Sequence, residues 1–219
     1  MINSFKKQLI ENKYVVEEIT PELFSVENFL SEKEINTLLK IIGNTSQEDW
    51  EVEYYANLKT FCMTKFGRDD VENLVAEGKF EITQNWKDKN FNITYHEIYR
   101  PMYDKLNSMV VSSDSDLILS GLATIQRMQP GVELKSHTDQ HTDPSIKYAT
   151  IIYINEDYAG GELFFPKLNI ELKPKPGTLL FFPGNEEYEH GVRHVKKGLT
   201  RYVLVGFIKI KNFYENNKY

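Results

Sequence analysis

Between residues 117 and 210 the chain is cut at close intervals by turn residues, and the runs between them are short and apolar. Gln129-Pro130-Gly131, Ala159-Gly160-Gly161 and Pro174-Lys175-Pro176-Gly177 supply the clearest breaks. Proline fixes its own φ and glycine admits φ values closed to other residues, so such clusters end regular structure. The runs at 117–128, 148–155, 162–165, 168–172, 178–182 and 201–210 read as strands. Many short strands set apart by turns predict an antiparallel sandwich or barrel.

The first half has a different texture. Residues 24–28 read as a short strand. Ser31 and Glu34 then stand at capping-box spacing, Ile35, Leu38, Leu39 and Ile42 recur with helical period, and Gly43 ends the run. A second helix is predicted over about 92–110, with Ile98, Met102, Leu106 and Met109 on one stripe; Pro101 either kinks it or marks its start. Between 47 and 85, Trp50, Tyr54, Tyr55, Phe61 and Phe66 give aromatic mass without clean period. That segment reads as irregular, with 50–86 a candidate lid. The expected class is therefore mainly β with flanking helices (α+β). Residues 1–219 form a single domain in this reading: 1–115 are N-terminal support and lid, 116–211 the core.

Composition narrows the functions open to the chain. Cys62 is the only cysteine, so neither an intramolecular disulfide nor a multi-thiolate zinc site can form. The net charge of −6 disfavours a nucleic-acid backbone as partner. The basic clusters are short: Lys6-Lys7, Lys173 with Lys175, and Arg193 with Lys196-Lys197. They read as solvated faces. No stretch is apolar enough to span a bilayer, and the start of the chain has no long apolar leader core. The expectation is a cytoplasmic protein with no membrane partner.

The chemistry concentrates in the strand-rich half. His137-Thr138-Asp139 places an imidazole and a carboxylate two residues apart, which on a strand directs both to one face. His190 follows the apolar run ending at Pro183 and suits a strand folded back beside them. Two histidines and one carboxylate occupy one face of an iron octahedron and leave the other open. The pattern recurs as His141-Thr142-Asp143, which stands beside Pro144 and reads as the following loop; His194 competes with His190 in the same way. Arg201 heads the otherwise apolar run Tyr202-Val203-Leu204-Val205-Gly206-Phe207. A guanidinium there is costly unless it meets an anion, and its fork suits a carboxylate. The alternative is a strand cap in solvent. Taken together, the residues point to an oxygenase using Fe(II) and 2-oxoglutarate.

From Ala123 to Lys209 the order of motifs resembles the prolyl 4-hydroxylase-like branch of the Fe(II)/2-oxoglutarate-dependent dioxygenase superfamily. The matching run is Met128-Gln129-Pro130-Gly131, His137-Thr138-Asp139, Ile152-Tyr153-Ile154-Asn155, Gly160-Gly161-Glu162-Leu163, Pro176-Gly177, His190-Gly191-Val192 and Thr200-Arg201-Tyr202. The resemblance implies a double-stranded β-helix (jelly-roll) core with N-terminal helical support. It implies His137, Asp139 and His190 as iron ligands, Arg201 on the distal carboxylate of 2-oxoglutarate, and Tyr153 adding a hydroxyl to that pocket. It also implies dioxygen as oxidant, ascorbate as an accessory reductant, and succinate and carbon dioxide as co-products. Two tyrosines frequent in the family are absent, at Met128 and Leu134. The expected substrate is a peptidyl proline or another protein side chain. The competing readings are the same oxidant acting on a nucleic-acid base, nucleotide or small molecule, a His/Asp zinc hydrolase, and a non-catalytic β-sandwich binding module. Oligomeric state is not legible in the sequence.

Overall fold

The structure, a computed structural model, describes residues 1–45, 51–55, 58–63, 100–196 and 198–216. Its elements run α1 (Ile2–Glu11), β1 (Val15–Glu18), β2 (Phe24–Glu27), α2 (Glu32–Gly43), β3 (Glu51–Tyr55), β4 (Leu58–Met63), α3 (Arg100–Ser113) and β5 (Leu117–Met128). They continue through β6 (Leu134–His137), α4 (Asp139–Thr142), β7 (Ile146–Tyr153), β8 (Leu163–Phe165), β9 (Ile170–Leu172), β10 (Leu179–Pro183), β11 (His190–Val192), β12 (Arg201–Ile210) and α5 (Phe213–Asn216). All strand pairs are antiparallel. They make an eight-stranded sheet, β1-β2-β10-β7-β12-β5-β4-β3, and a four-stranded sheet, β6-β11-β8-β9.

Side-chain alternation decides what each face of the large sheet covers. Leu179 and Phe181 of β10, Ile152 of β7, and Leu204 and Ile208 of β12 turn to one side, into a cluster with Phe5 and Leu9 of α1, Leu38 and Ile42 of α2, and Leu106 and Val110 of α3. Phe181 is its centre, 5.0 Å from the Phe5 ring and 4.8 Å from the Phe24 ring. The intervening residues Leu180, Phe182, Ala149, Ile151 and Val203 turn the other way. They join Leu163 and Phe165 of β8 and Val192 of β11 in a second cluster between the sheets. Helices thus cover one face of the large sheet and the small sheet covers the other.

The expected capping box is present. Ser31 Oγ accepts from the Glu34 amide at 3.3 Å, and Glu34 Oε2 accepts from the Ser31 amide at 2.7 Å. Three expectations need correction. Leu39 is exposed and Ile41 is buried in its stead, because the inward stripe of α2 runs through Ile35, Leu38, Ile41 and Ile42. Residues 51–55 and 58–63 are not irregular; β3 and β4 pair and extend the large sheet through β5. The remainder of the expected lid, and His96, lie outside the described residues. The second helix begins at Arg100 with Pro101 in its first turn, where the missing amide costs nothing; the expected start at 92 and Ile98 fall outside the described residues.

Lys6, third, is buried and does not belong to a solvated face. It donates to Glu18 and to the Pro21 carbonyl, with its ammonium 5.2 Å over the Phe24 ring. Among the described residues no helix is long and apolar enough to cross a membrane.

Gly177 ties the two halves together. Its carbonyl accepts from the Leu30 amide at 3.1 Å, and its own amide donates to the Tyr153 carbonyl at 2.8 Å. Its φ is +82, and a Cβ there would stand 2.5 Å from the Leu30 oxygen. Gly177→Ala is therefore expected to lower unfolding stability by at least about 1–2 kcal/mol, the cost of a left-handed non-glycine residue, read by urea denaturation with an unchanged slope.

Candidate metal centre

β6 and β11 pair so that His137 and His190 are direct cross-strand partners. Their rings lie 4.6 Å apart. β6 ends at His137; Thr138 stays extended and Asp139 opens α4. Asp139 therefore reaches the histidines through a strand-to-helix turn, and not by the alternation along one strand that its spacing had predicted. The result is one cluster in which one donor atom each from His137, Asp139 and His190 lie within 4.8 Å of one another. Each imidazole Nε2 is 3.9 Å from an Asp139 carboxylate oxygen.

Backbone contacts orient both rings. His137 Nδ1 lies 3.0 Å from the Lys135 carbonyl and His190 Nδ1 3.1 Å from that of Tyr188. A carbonyl can only accept, so Nδ1 carries the proton and each Nε2 presents its lone pair to the cluster. Burial holds both rings neutral, the ligand form. It draws His190 down to about 4, and burial with the neighbouring His190 ring lowers His137. Phe182 packs edge-on against His190 at 4.7 Å. Gly191 allows the close fit of β11: a Cβ there would stand 2.5 Å from the Leu134 oxygen and 2.7 Å from the Phe164 ring.

The three donors open into a cavity of about 390 Å³ between the sheets. Arg201, Val203, Val205, Phe207 and Lys209, alternate residues of β12, run along its wall. Arg201 is not a solvent cap; it is 1% exposed. Its Nη1 is 3.6 Å from Met128 Sδ and its Nη2 3.4 Å from Tyr153 Oη, with Nε buried and without a hydrogen-bond partner. Neither neighbour carries a negative charge at neutral pH, since burial raises the Tyr153 phenol further. A buried guanidinium among a thioether and phenols has the electrostatics of an anion site. The residues present fit the groups expected of them: two neutral imidazoles and a carboxylate for a divalent iron, and an uncompensated cation for a dicarboxylate. Tyr153 touches the guanidinium but does not line the cavity.

The second His-x-Asp copy stands apart. His141 is exposed on α4. The Asp143 carboxylate accepts from the Ser145 amide at 2.9 Å, the Ser145 hydroxyl at 2.6 Å and the Tyr214 hydroxyl at 2.6 Å, and faces Lys209 at 3.3 Å. Burial alone would raise its pKa, but these donors outweigh it and hold it at about 2. His194 is exposed beside the Gly160-Gly161 turn.

Residues 123–209 match the 2OG-Fe(II) oxygenase superfamily. A 65-residue stretch is 36% identical to human prolyl 3-hydroxylase 2 (Homo sapiens), covering 27% of this chain; the chain spans 9% of that relative's length. Among solved structures, it resembles a Trichoplax adhaerens prolyl hydroxylase in complex with a hypoxia inducible factor peptide fragment, with a TM-score of 0.66, 14% identity and coverage of 99% of this chain and 92% of that one. A Pseudomonas putida prolyl-4-hydroxylase gives a TM-score of 0.60 at 15% identity, with 96% of this chain and 100% of that one covered. At these identities the two structures share a fold with the chain.

The His190 environment sets a pH dependence for the metal-free protein. Its ordinary pKa is 6.5 and its folded value about 4. Between the two, the unfolded chain takes up a proton that the folded chain refuses. This contribution to stability therefore falls as pH drops from 6.5 and levels out below about 4. An NMR titration of the imidazoles should find His190 unprotonated at pH 5.5, and a pKa near the ordinary value would contradict the buried geometry.

Proposed function

We propose, from the match of residues 123–209 to the 2OG-Fe(II) oxygenase superfamily, that the chain hydroxylates an organic substrate using Fe(II), 2-oxoglutarate and dioxygen, releasing succinate and carbon dioxide. One observation carries the reading: a buried arginine with no carboxylate partner among the described residues opens into the same cavity as a His-Asp-His cluster. A zinc hydrolase has no use for that cation, and a binding module would release no succinate. We read the two facing sheets as the double-stranded β-helix of this superfamily and residues 1–219 as one catalytic domain.

In this proposal His137, Asp139 and His190 hold the iron, and Arg201 binds the distal carboxylate of 2-oxoglutarate through its fork. Iron and 2-oxoglutarate, when bound, supply the oxidant. The chain's own residues bind, orient and exclude water. The Nδ1–H contacts to Lys135 and Tyr188 keep both Nε2 lone pairs aimed inward without any proton transfer. Phe182, Val203 and Val205 keep the space between the donors and Arg201 apolar, which strengthens the guanidinium–carboxylate attraction. Tyr153 steadies the guanidinium from the side away from the cavity opening. The proposed substrate is a peptidyl proline. The local identity to prolyl 3-hydroxylase 2 supports it.

The test is succinate formation by the full chain. It should require added Fe(II) and 2-oxoglutarate and rise when proline-containing peptides are supplied. His137→Ala should abolish it while the protein stays folded by circular dichroism. Arg201→Lys should raise KM for 2-oxoglutarate about ten-fold or more, the scale of a lost charged hydrogen bond at ~1.5–3 kcal/mol. Succinate release stimulated by nucleotides or single-stranded DNA and by no peptide would replace the proposed substrate. Iron-independent hydrolysis would overturn the oxygenase.

A further inference from the structure

The loop that follows β7 meets Arg201 from three directions, and nothing in the proposed chemistry so far accounts for it. β7 and β12 leave the sheet ladder at the pair Tyr153 and Val203. Beyond that point Asn155, only 6% exposed, takes over the pairing with its side chain. Its Nδ2 donates to the Thr200 carbonyl at 2.8 Å and its Oδ1 accepts from the Tyr202 amide at 2.8 Å. These are the two backbone groups flanking Arg201, so one side-chain amide fixes the peptide on both sides of it. An amide is suited to this because it carries a donor and an acceptor in one plane, as a peptide does.

Three residues on, Tyr158 folds back. It is 3% exposed, and its hydroxyl is buried beside Arg201 without a hydrogen bond of ordinary geometry. Lys173 fixes it from outside, donating to the Tyr158 carbonyl with its ammonium 4.4 Å over the ring. Gly161, at φ +69, closes the turn. A Cβ there would stand 3.0 Å from the Tyr158 ring and 3.2 Å from Arg201 Cδ, so only glycine lets ring, turn and arginine stem share the space. Tyr158 does not line the cavity. It acts on Arg201 and not on a ligand.

We propose that Asn155 and Tyr158 are positioning residues that clamp Arg201 and so set recognition of the distal carboxylate of the co-substrate. This rests on the oxygenase reading. An arginine side chain has several rotatable bonds, and each one left free at binding costs affinity. Met128 offers Arg201 only a thioether, so in this chain the fork is steadied from the Asn155–Tyr158 side. A clamp of this kind matters for a ligand that reaches Arg201 and is irrelevant to one that only chelates the metal.

That difference is the test. Calorimetric binding to the Fe(II)-loaded full chain, without oxygen, would compare 2-oxoglutarate with oxalate, which chelates but has no distal carboxylate. Tyr158→Phe and Asn155→Ala should each weaken 2-oxoglutarate binding roughly ten-fold, about 1.4 kcal/mol, and leave oxalate binding unchanged. Tyr158→Phe keeps the ring and its packing, so it reports even where Asn155→Ala disturbs the fold. An equal loss for both ligands would mean general damage to the site and overturns the proposal, as does no loss for either. A wild-type chain that binds oxalate but not 2-oxoglutarate overturns the co-substrate reading itself, and the clamp with it.

Discussion

The antiparallel pairing of two very short strands, β6 and β11, is the constraint from which the site follows. It sets His137 opposite His190 with the rings in contact. Cross-strand partners stand close enough for their side chains to meet, so two imidazoles placed this way share one centre without any long-range adjustment. Everything that keeps the pair in register then becomes part of the site. Gly191 lets β11 lie against both Leu134 and Phe164. Phe182, delivered by the large sheet, backs the His190 ring. The turn into α4 brings Asp139 to the third corner, where a Cβ on Gly184 would stand 3.3 Å from the Asp139 Cβ.

Arg201 answers to a different constraint. It enters from the large sheet, at the start of a strand whose next inward residues are Val203, Val205 and Phe207. A guanidinium in that setting has lost its water and gained a thioether and aromatic rings in exchange. Such burial is destabilising unless something else compensates. A dicarboxylate ligand held between iron and the guanidinium would supply the missing charge. The metal cluster and Arg201 sit on opposite sheets, so the packing between the sheets sets the span a ligand must bridge.

The sequence carried the ligand set because its signals are local and chemical: His137 and Asp139 two apart, His190 after an apolar run, Arg201 where an apolar strand begins. It carried the strand succession because glycine and proline punctuate it. What it could not carry was tertiary. The alternation rule gave the right partners for the wrong reason, since nothing in His137-Thr138-Asp139 announces that β6 stops at His137. Lys6 looked solvated because Lys6-Lys7 reads as a pair, whereas only the fold puts Glu18, the Pro21 carbonyl and Phe24 around one of the two. Leu39 is apolar at a helical spacing but lies on the flank that no sheet covers. Asn155 was legible only as the end of an apolar strand run, and Tyr158 carried no signal at all. Their partners, Thr200, Arg201 and Tyr202, lie more than forty positions away.

The duplicated His-x-Asp pattern shows how the fold separates chemical equivalents. Both copies offer an imidazole and a carboxylate at the same spacing. The first copy ends a strand that pairs with β11, so His137 Nε2 and the Asp139 carboxylate meet the His190 ring. The second lies on α4 and just beyond it, where Asp143 meets Ser145, Tyr214 and Lys209. With its oxygens accepting from those donors, the carboxylate has little left to offer an ion and instead fastens the end of α4 to β12 and α5. The Asp143 amide in turn donates to the Asp139 carbonyl at 2.9 Å. The second copy therefore holds in place the turn carrying the carboxylate that faces the two histidines. Of the two identical spacings, backbone context selects one for the metal cluster and makes the other its support.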